Sequence, residues 1–120
     1  MGLDIYFCSG ADDKYPVWHN SVDFHNHYWL ERWLLTNTPI RDLNEDDIRI
    51  NHTTLAYLIA TIRAVLADPS AGPKVLPNPR PQGCEYDSHY LQQISEAERR
   101  LQELLDNADP KELILVWGSY

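Results

Sequence analysis

The strongest pattern in this sequence is an apolar stripe that recurs at helical spacing near the C-terminal end. Its members are Tyr90, Leu91, Ile94, Ala97, Leu101, Leu104, Leu105 and Ala108. Apolar residues three and four positions apart share one face of an α-helix, and Gln, Glu and Arg occupy the opposite face here. We therefore predict a long helix over residues 87–107, which stops before Asp109-Pro110. A helix with one apolar face must pack on other elements, so the rest of the chain has to supply them.

Short apolar runs near both ends of the chain predict β-strands. Residues 3–8 are rich in β-branched and aromatic side chains, and residues 113–117 form a continuous apolar run of the kind found in buried strands. Ile48-Arg49-Ile50 is predicted to be either a third short strand or an extended segment that leads into the next helix. Terminal segments fray unless a sheet or a docked helix holds them. We expect the two terminal strands to pair within one small sheet.

Two further helices are predicted between these strands. The first begins at Asn20 or Ser21, either of which can cap it, and runs to Leu35 before the segment that ends in Pro39. The second is capped by Asn51 or Thr53 and stops at Asp68-Pro69. Its apolar stripe consists of Leu55, Leu58, Ile59, Ile62, Val65 and Leu66.

A proline-rich segment separates the second predicted helix from the last one. It holds five prolines between positions 69 and 81, which predicts a loop and excludes a helix or a central strand there. The expected fold is therefore α+β. We expect one domain over residues 1–120, with three helices packed on a small sheet that includes the N- and C-terminal strands.

Charge and hydropathy indicate which kind of partner and which cellular compartment suit this chain. The chain has 10 basic and 18 acidic residues and a formal net charge of −8, which disfavours nucleic acid and favours a protein partner with a basic face. It has no apolar run of the length that a membrane span needs, and Asp4 interrupts its first apolar run. We expect a cytoplasmic protein without a cofactor. We then expect Cys8 and Cys84 to be two free thiols. The alternative is one disulfide between them, which two cysteines permit.

The most chemically concentrated segment is residues 18–33, which hold three of the five histidines and three of the four tryptophans. If helical geometry reaches back to His19, then His19, Asp23 and His27 recur every four residues along the first helix. These side chains could then share one divalent metal ion. The alternative is a solvated helix face with charge pairs such as His27 and Glu31. His25 and His27 would point to nearly opposite sides of that helix.

Two other residue sets are candidates for a site. Aromatic and acidic contacts with a protein partner are predicted at Trp18, His19, Trp29, Asp42, Glu45, Asp46 and Asp47. Asp87 is predicted to cap the start of the last helix, because a carboxylate there complements the helix dipole. The alternative is a small polar site where Asp4, Glu85 and Asp87 converge.

Two motifs carry a resemblance to a known family. The chain starts with Met1-Gly2-Leu3-Asp4-Ile5-Tyr6, and before its last predicted helix it carries Leu76-Pro77, Gly83, Glu85-Tyr86-Asp87 and Tyr90. In these segments it resembles a family of small bacterial and phage-encoded proteins that begin MGLD, a hydrophobic residue and Tyr, and that contain an LP…G…EYD..Y segment. The resemblance implies a phage or other mobile-element origin and carries no assigned activity.

Three hypotheses for function follow from the sequence. The first is a non-enzymatic protein-binding module of the inhibitor or immunity type, because no catalytic set of residues is recognisable at a known spacing. The second is a metal-binding protein or small metal-dependent hydrolase that uses His19, Asp23 and His27. The third is a structural accessory protein that forms homo-oligomers.

Overall fold

Four antiparallel strands form one sheet in the computed structural model, which describes residues 2–10, 18–43, 48–79 and 86–119. They are β1 (Asp4–Gly10), β2 (Trp18–His25), β3 (Ile48–Ile50) and β4 (Leu113–Ser119). Their order across the sheet is β2-β1-β4-β3. The strands nearest the two ends of the chain pair with each other, as the sequence predicts, and they are the central pair of the sheet.

The described ranges contain four α-helices, and this combination confirms the α+β class. They are α1 (Tyr28–Asn37), α2 (His52–Ala67), α3 (Gly72–Val75) and α4 (Ser88–Asn107). A single 3₁₀ turn (Pro69–Ala71) precedes α3. None of the helices in these ranges is long and apolar enough to cross a membrane.

The prediction of a loop throughout the proline-rich segment was wrong at α3, the helix beyond the three expected. Pro73 lies in the first turn of α3 and Pro69 in the first turn of the 3₁₀ helix. The first turn of a helix has backbone N–H groups without intrahelical partners, so proline costs little there. Prolines in this segment therefore mark the starts of helices as well as their ends.

The predicted first helix was wrong over residues 20–27, which the structure divides between β2 and a turn. β2 continues to His25, and α1 begins only at Tyr28. Burial alternates along the strand: Asp23 and His25 are exposed, whereas Phe24 between them is buried. That period of two is the signature of a strand with one face on the core.

Asn26 makes the turn from β2 into α1. Its φ of 58° lies in the left-handed region, which Asn tolerates better than most residues. Its backbone N–H donates to the carbonyl of Leu3 at 2.7 Å, and its Oδ1 accepts from the N–H of Leu3 at 2.9 Å. This pair of hydrogen bonds ties the turn to the residue that precedes β1.

The inner face of the sheet packs against the helices in one apolar cluster. The strand residues in it are Ile5, Phe7, Phe24, Ile50, Ile114 and Val116. The stripes predicted for α2 and α4 supply the opposite wall, since five α2 residues and five α4 residues are buried. The predicted caps are confirmed as well. The Asn51 Oδ1 accepts from the N–H of Thr54, and the Asp87 carboxylate accepts from the N–H groups of His89 and Tyr90.

Two tyrosines hold the proline-rich segment against the start of α4. The Tyr90 hydroxyl donates to the carbonyl of Leu76 at 2.8 Å, and the Tyr86 hydroxyl accepts from the N–H of Asn78 at 3.0 Å. The two rings meet edge to face at 5.0 Å. Burial raises the pKa of Tyr90, with a smaller contribution from Tyr86, so the hydroxyl stays a donor. Leu76, Tyr86 and Tyr90, which carry part of the family resemblance, thus have a shared structural role.

Candidate functional site

The face of the sheet opposite the helices, which we name the outer face, is the main candidate for a binding surface. Its side chains alternate with the buried ones, because successive residues of a strand point to opposite faces. They are Asp4, Tyr6 and Cys8 on β1, Ser21, Asp23 and His25 on β2, Arg49 on β3, and Leu113, Leu115, Trp117 and Ser119 on β4.

An acidic and aromatic row crosses three strands in the middle of the outer face. Tyr6 lies opposite Asp23 on one side and opposite Trp117 on the other. The Tyr6 and Trp117 rings stack with their centroids 5.1 Å apart and their planes at 19°. The Asp23 side chain is 68% exposed and receives a hydrogen bond of 3.5 Å from the Arg100 guanidinium. A partner approaching this row meets two half-exposed aromatic rings beside a carboxylate.

Next to this row lies an apolar patch outside the main core. Cys8 and Leu115 are opposite each other, and both are almost fully buried without belonging to the main cluster. Burial raises the pKa of Cys8, so its thiol stays protonated at neutral pH. Leu113, two residues before Leu115, is 44% exposed. The outer face therefore combines apolar and aromatic side chains with charges.

Asp4 and His25 form the polar end of the outer face. The Asp4 carboxylate and the His25 Nδ1 are 2.7 Å apart, and the two side chains are 37% and 65% exposed. Ser119 lies opposite Asp4 on its other side. Because β1 separates β2 from β4, His25 and Ser119 are two strand spacings apart, about 10 Å. A Ser-His-Asp triad needs the imidazole between the hydroxyl and the carboxylate, so this row is not one.

His27 belongs to the helical side of the sheet rather than to the outer face. Its Nδ1 bonds the His25 carbonyl at 2.8 Å, and its ring lies 5.3 Å from Phe24 and 5.7 Å from Trp29. Burial is the largest cause that lowers the pKa of His27, and Arg100 and His25 act in the same direction. The hydrogen bond to the His25 carbonyl and the nearby Glu96 oppose it. The net effect favours a neutral ring at pH 7.

The helical spacing that suggested a metal site does not exist in the structure. His19 and Asp23 lie on β2, and His27 follows the turn at Asn26, so the three residues share no helix face. Asp23 meets Arg100 instead, and the His27 ring packs against Phe24 and Trp29. The side chain of His19 lies outside the described part. Within the described ranges, no group of three or more His, Cys, Asp and Glu side chains is placed to hold a metal ion.

Of the predicted partner contacts, one is wrong, one is half-buried, and the side chains of the others lie outside the described part. Trp29 is 0% exposed, and its Nε1 donates to the Gln93 Oε1 at 3.3 Å, so it contributes to the core and not to a surface. Trp18 and His19 lie on β2, but their side chains are not described. Asp42 is half-buried. The structure does not describe Glu45, Asp46 and Asp47.

The polar site predicted from Asp4, Glu85 and Asp87 is also not assembled among the described residues. Asp4 bonds His25, whereas Asp87 caps α4 through the N–H groups of His89 and Tyr90. Glu85 lies outside the described part.

Sequence reasoning missed Tyr6 and Trp117 as surface residues. The signal was the alternation of residues 3–8, in which Ile5 and Phe7 face the core and Asp4 and Tyr6 do not. Once that alternation is assigned, the pairing of β1 with β4 brings Trp117 beside Tyr6.

Comparison with known proteins assigns no family to this chain. No family model matches it, and neither the curated proteins nor the solved structures yield a match. The resemblance carried by the MGLD start and the EYD segment stays a prediction. A function has to be argued from the site itself, because a fold class hosts many functions.

Proposed function

We propose that this protein is a non-enzymatic module that binds another protein through the outer face of its sheet. The row of Asp23, Tyr6 and Trp117 across three strands is the observation that carries the proposal. Two stacked and half-buried aromatic rings lie beside an exposed carboxylate, on the face of the sheet opposite the helices.

Aromatic side chains on a rigid sheet are suited to anchoring a partner. Tyr and Trp are enriched among the residues that dominate interface energies, because they bury large apolar areas and keep a polar group for hydrogen bonding. Hydrogen bonds to β2 and β4 on both sides fix the β1 backbone that carries Tyr6. A partner would therefore meet a preformed surface and lose little binding energy to ordering it.

The charge of the protein favours a partner with a basic face. The net charge is −8, and the outer face carries two carboxylates near Tyr6: Asp23 opposite it on β2 and Asp4 two residues before it on β1. Such a field speeds the encounter with a basic surface and disfavours acidic ones. Arg49, at the far edge of the sheet, gives the surface a polarity that can orient the partner.

Inhibitor and immunity proteins are the class of module that this arrangement fits best. They act by covering a functional surface of another protein, which requires a rigid and complementary face and no chemistry of their own. We extend the proposal to a phage or other mobile-element origin on the strength of the resemblance in residues 1–6 and 76–90.

The test is capture of the partner followed by binding measurements with matched variants. The immobilised protein is exposed to a lysate of the cells that encode it, the retained protein is identified by mass spectrometry, and its affinity is measured by calorimetry with purified components. Asp23→Lys and Glu103→Lys form a matched pair, since both carboxylates are exposed and each meets an arginine. We expect a one-to-one complex that Asp23→Lys weakens by about tenfold or more and Glu103→Lys leaves nearly unchanged.

Aromatic variants and salt complete the test. We expect Trp117→Ala to weaken the complex and Tyr57→Ala, on the exposed surface of α2, to leave it intact. Affinity should also fall as the salt concentration rises, because screening reduces attraction between exposed charges. Failure to retain any protein, or a complex that Asp23→Lys and Trp117→Ala do not affect, would contradict the proposal.

A further inference from the structure

A groove between α1, α2 and α3 has features that the proposed function does not use. Its volume is about 590 Å³, and it lies on the helical side of the molecule, away from the outer face. Trp33 and Tyr57 meet within it with their ring centroids 5.9 Å apart and their planes tilted by 48°. Trp33 is buried, but Tyr57 is 58% exposed and Val75 on the third wall is 45% exposed. Exposed large apolar side chains around one concavity are typical of a ligand site.

The sequence leaves room in the groove by placing small residues on α2. Ala60 and Ala64 line it one helical turn apart, where longer side chains would fill the space. A volume near 600 Å³ lies within the range found for sites of small molecules, about 300–1,000 Å³.

Two cations at the groove have no partner among the residues that the structure describes. Arg32 on α1 and Lys74 on α3 both line it and are exposed, and no hydrogen bond or ion pair joins either of them to a described residue. By contrast, Arg63, Arg99 and Arg100 each meet a carboxylate.

Among the described residues, the lining also has no acidic side chain, although acidic residues outnumber basic ones by 18 to 10 in the whole chain. The groove is therefore a locally positive and aromatic site in a strongly negative protein. Charge complementarity here selects an anion, which is the opposite of what the outer face selects.

We infer that this groove binds a small aromatic molecule that carries a carboxylate or phosphate group. The aromatic ring lies against Tyr57 and Val75, and the anionic group lies between the side chains of Arg32 and Lys74. Arg and Lys both bind carboxylates and phosphates through charge-assisted hydrogen bonds. The inference is independent of partner binding at the outer face, because the lining residues that the structure describes all lie outside the sheet.

The test uses three probes that share one ring system and differ in the polar group attached to it. Naphthoate and naphthyl phosphate carry the two anionic groups, and naphthamide is the uncharged control. Binding is followed by heteronuclear NMR shifts and by calorimetry with the full chain. We expect naphthoate or naphthyl phosphate to bind about tenfold or more tightly than naphthamide, with shifts in the signals of Trp33 and Tyr57. The tighter anion of the two identifies which acid group the site prefers.

Two double variants separate a local site from general charge attraction. Arg32→Gln with Lys74→Gln removes both groove cations, and Arg99→Gln with Lys111→Gln removes the same residue types at exposed positions elsewhere. We expect only the first pair to lower the affinity for the anions, by about tenfold or more. Ala64→Trp should abolish binding of all three probes by filling the groove, and circular dichroism checks that each variant is folded.

Several results would overturn the inference. Equal affinity for naphthamide and the anions, retention of anion binding in the first double variant, or no binding by any probe would each do so. So would exclusive binding of an acidic peptide, or self-association of the chain that Ala64→Trp abolishes. Loss of the captured protein in the Asp23→Lys variant leaves this result unchanged, so the two proposals fail separately.

Discussion

The two faces of the sheet are made by the same strands and have opposite roles. On β1, Phe7 is fully buried beneath the helices, and Tyr6, one residue earlier, lies on the outer face against Trp117. On β4, Val116 belongs to the main core, whereas Trp117 is half-exposed. A step of one residue along the chain therefore separates a side chain that holds the fold together from one that is open to a partner.

This difference shows why the aromatic content of the chain is a poor guide to its surface. Trp29 and Phe24 are as aromatic as Tyr6 and Trp117, but they close the core. Tyr6 and Trp117 differ from them because they occupy strand positions whose side chains point to the outer face. The carboxylates of Asp4 and Asp23 lie beside them there.

The largest expected effect tests the two faces directly, with substitutions at adjacent positions. Phe7→Ala should lower the free energy of unfolding by about 3–5 kcal/mol, because it removes a fully buried ring and leaves a cavity. Tyr6→Ala should cost much less, about 1–2 kcal/mol, since its ring is half-exposed and loses mainly the stack on Trp117. Urea unfolding of both variants measures the difference. Equal losses would mean that the outer face is a second core and not an open surface.

The parts of the fold that the sequence predicts well are those with a long period or a clear boundary. The stripe of α2 and the stripe of α4 extend over several turns, and Asn51 and Asp87 mark their starts with side chains that cap free N–H groups. The two terminal strands are short but rich in apolar and aromatic residues, and pairing them gives the backbone of each strand hydrogen-bond partners.

β2 shows where prediction from sequence stops. Residues 20–27 fit two patterns. One is the start of a helix capped by Asn20 or Ser21, and the other is the strand alternation around Val22 and Phe24, which covers just a few residues. The deciding contacts are not local: β2 hydrogen-bonds along the whole of β1, and Asn26 bonds Leu3, 23 positions away. The candidate metal site depended on the helical assignment, so it was lost together with it.

The second expected effect concerns the turn that carries the chain from the sheet into the helical layer. Asn26→Ala should lower the free energy of unfolding by about 1–3 kcal/mol, because alanine tolerates a φ of 58° poorly and cannot accept the N–H of Leu3. Asn26→Asp is the matched control, since it keeps the acceptor and the tolerance for this conformation. Thermal unfolding compares the two. If both variants are as stable as the natural chain, the turn does not hold the two layers in place.

The smallest expected effect is the pH dependence that His27 gives to the helical side. Its pKa in the folded protein lies below the usual 6.5, chiefly because of burial. The unfolded chain then binds the proton more readily than the folded one, so the stabilisation is complete above about pH 6.5 and is lost as the pH falls through the folded value. The charged groups that face the ring are Glu96 and Arg100 on α4 and His25 on β2.

His27→Gln keeps a side-chain donor and removes the titration, so the free energy of unfolding should decline less between neutral and mildly acidic pH than in the natural chain. His89→Gln, at the exposed start of α4, should retain the natural decline. Urea midpoints measured across this pH range give both slopes. Parallel slopes for the natural chain and His27→Gln would show that the ring does not resist protonation. In that case burial on the helical side would not disfavour the charged form of His27, and the contrast between the two faces would not extend to this residue.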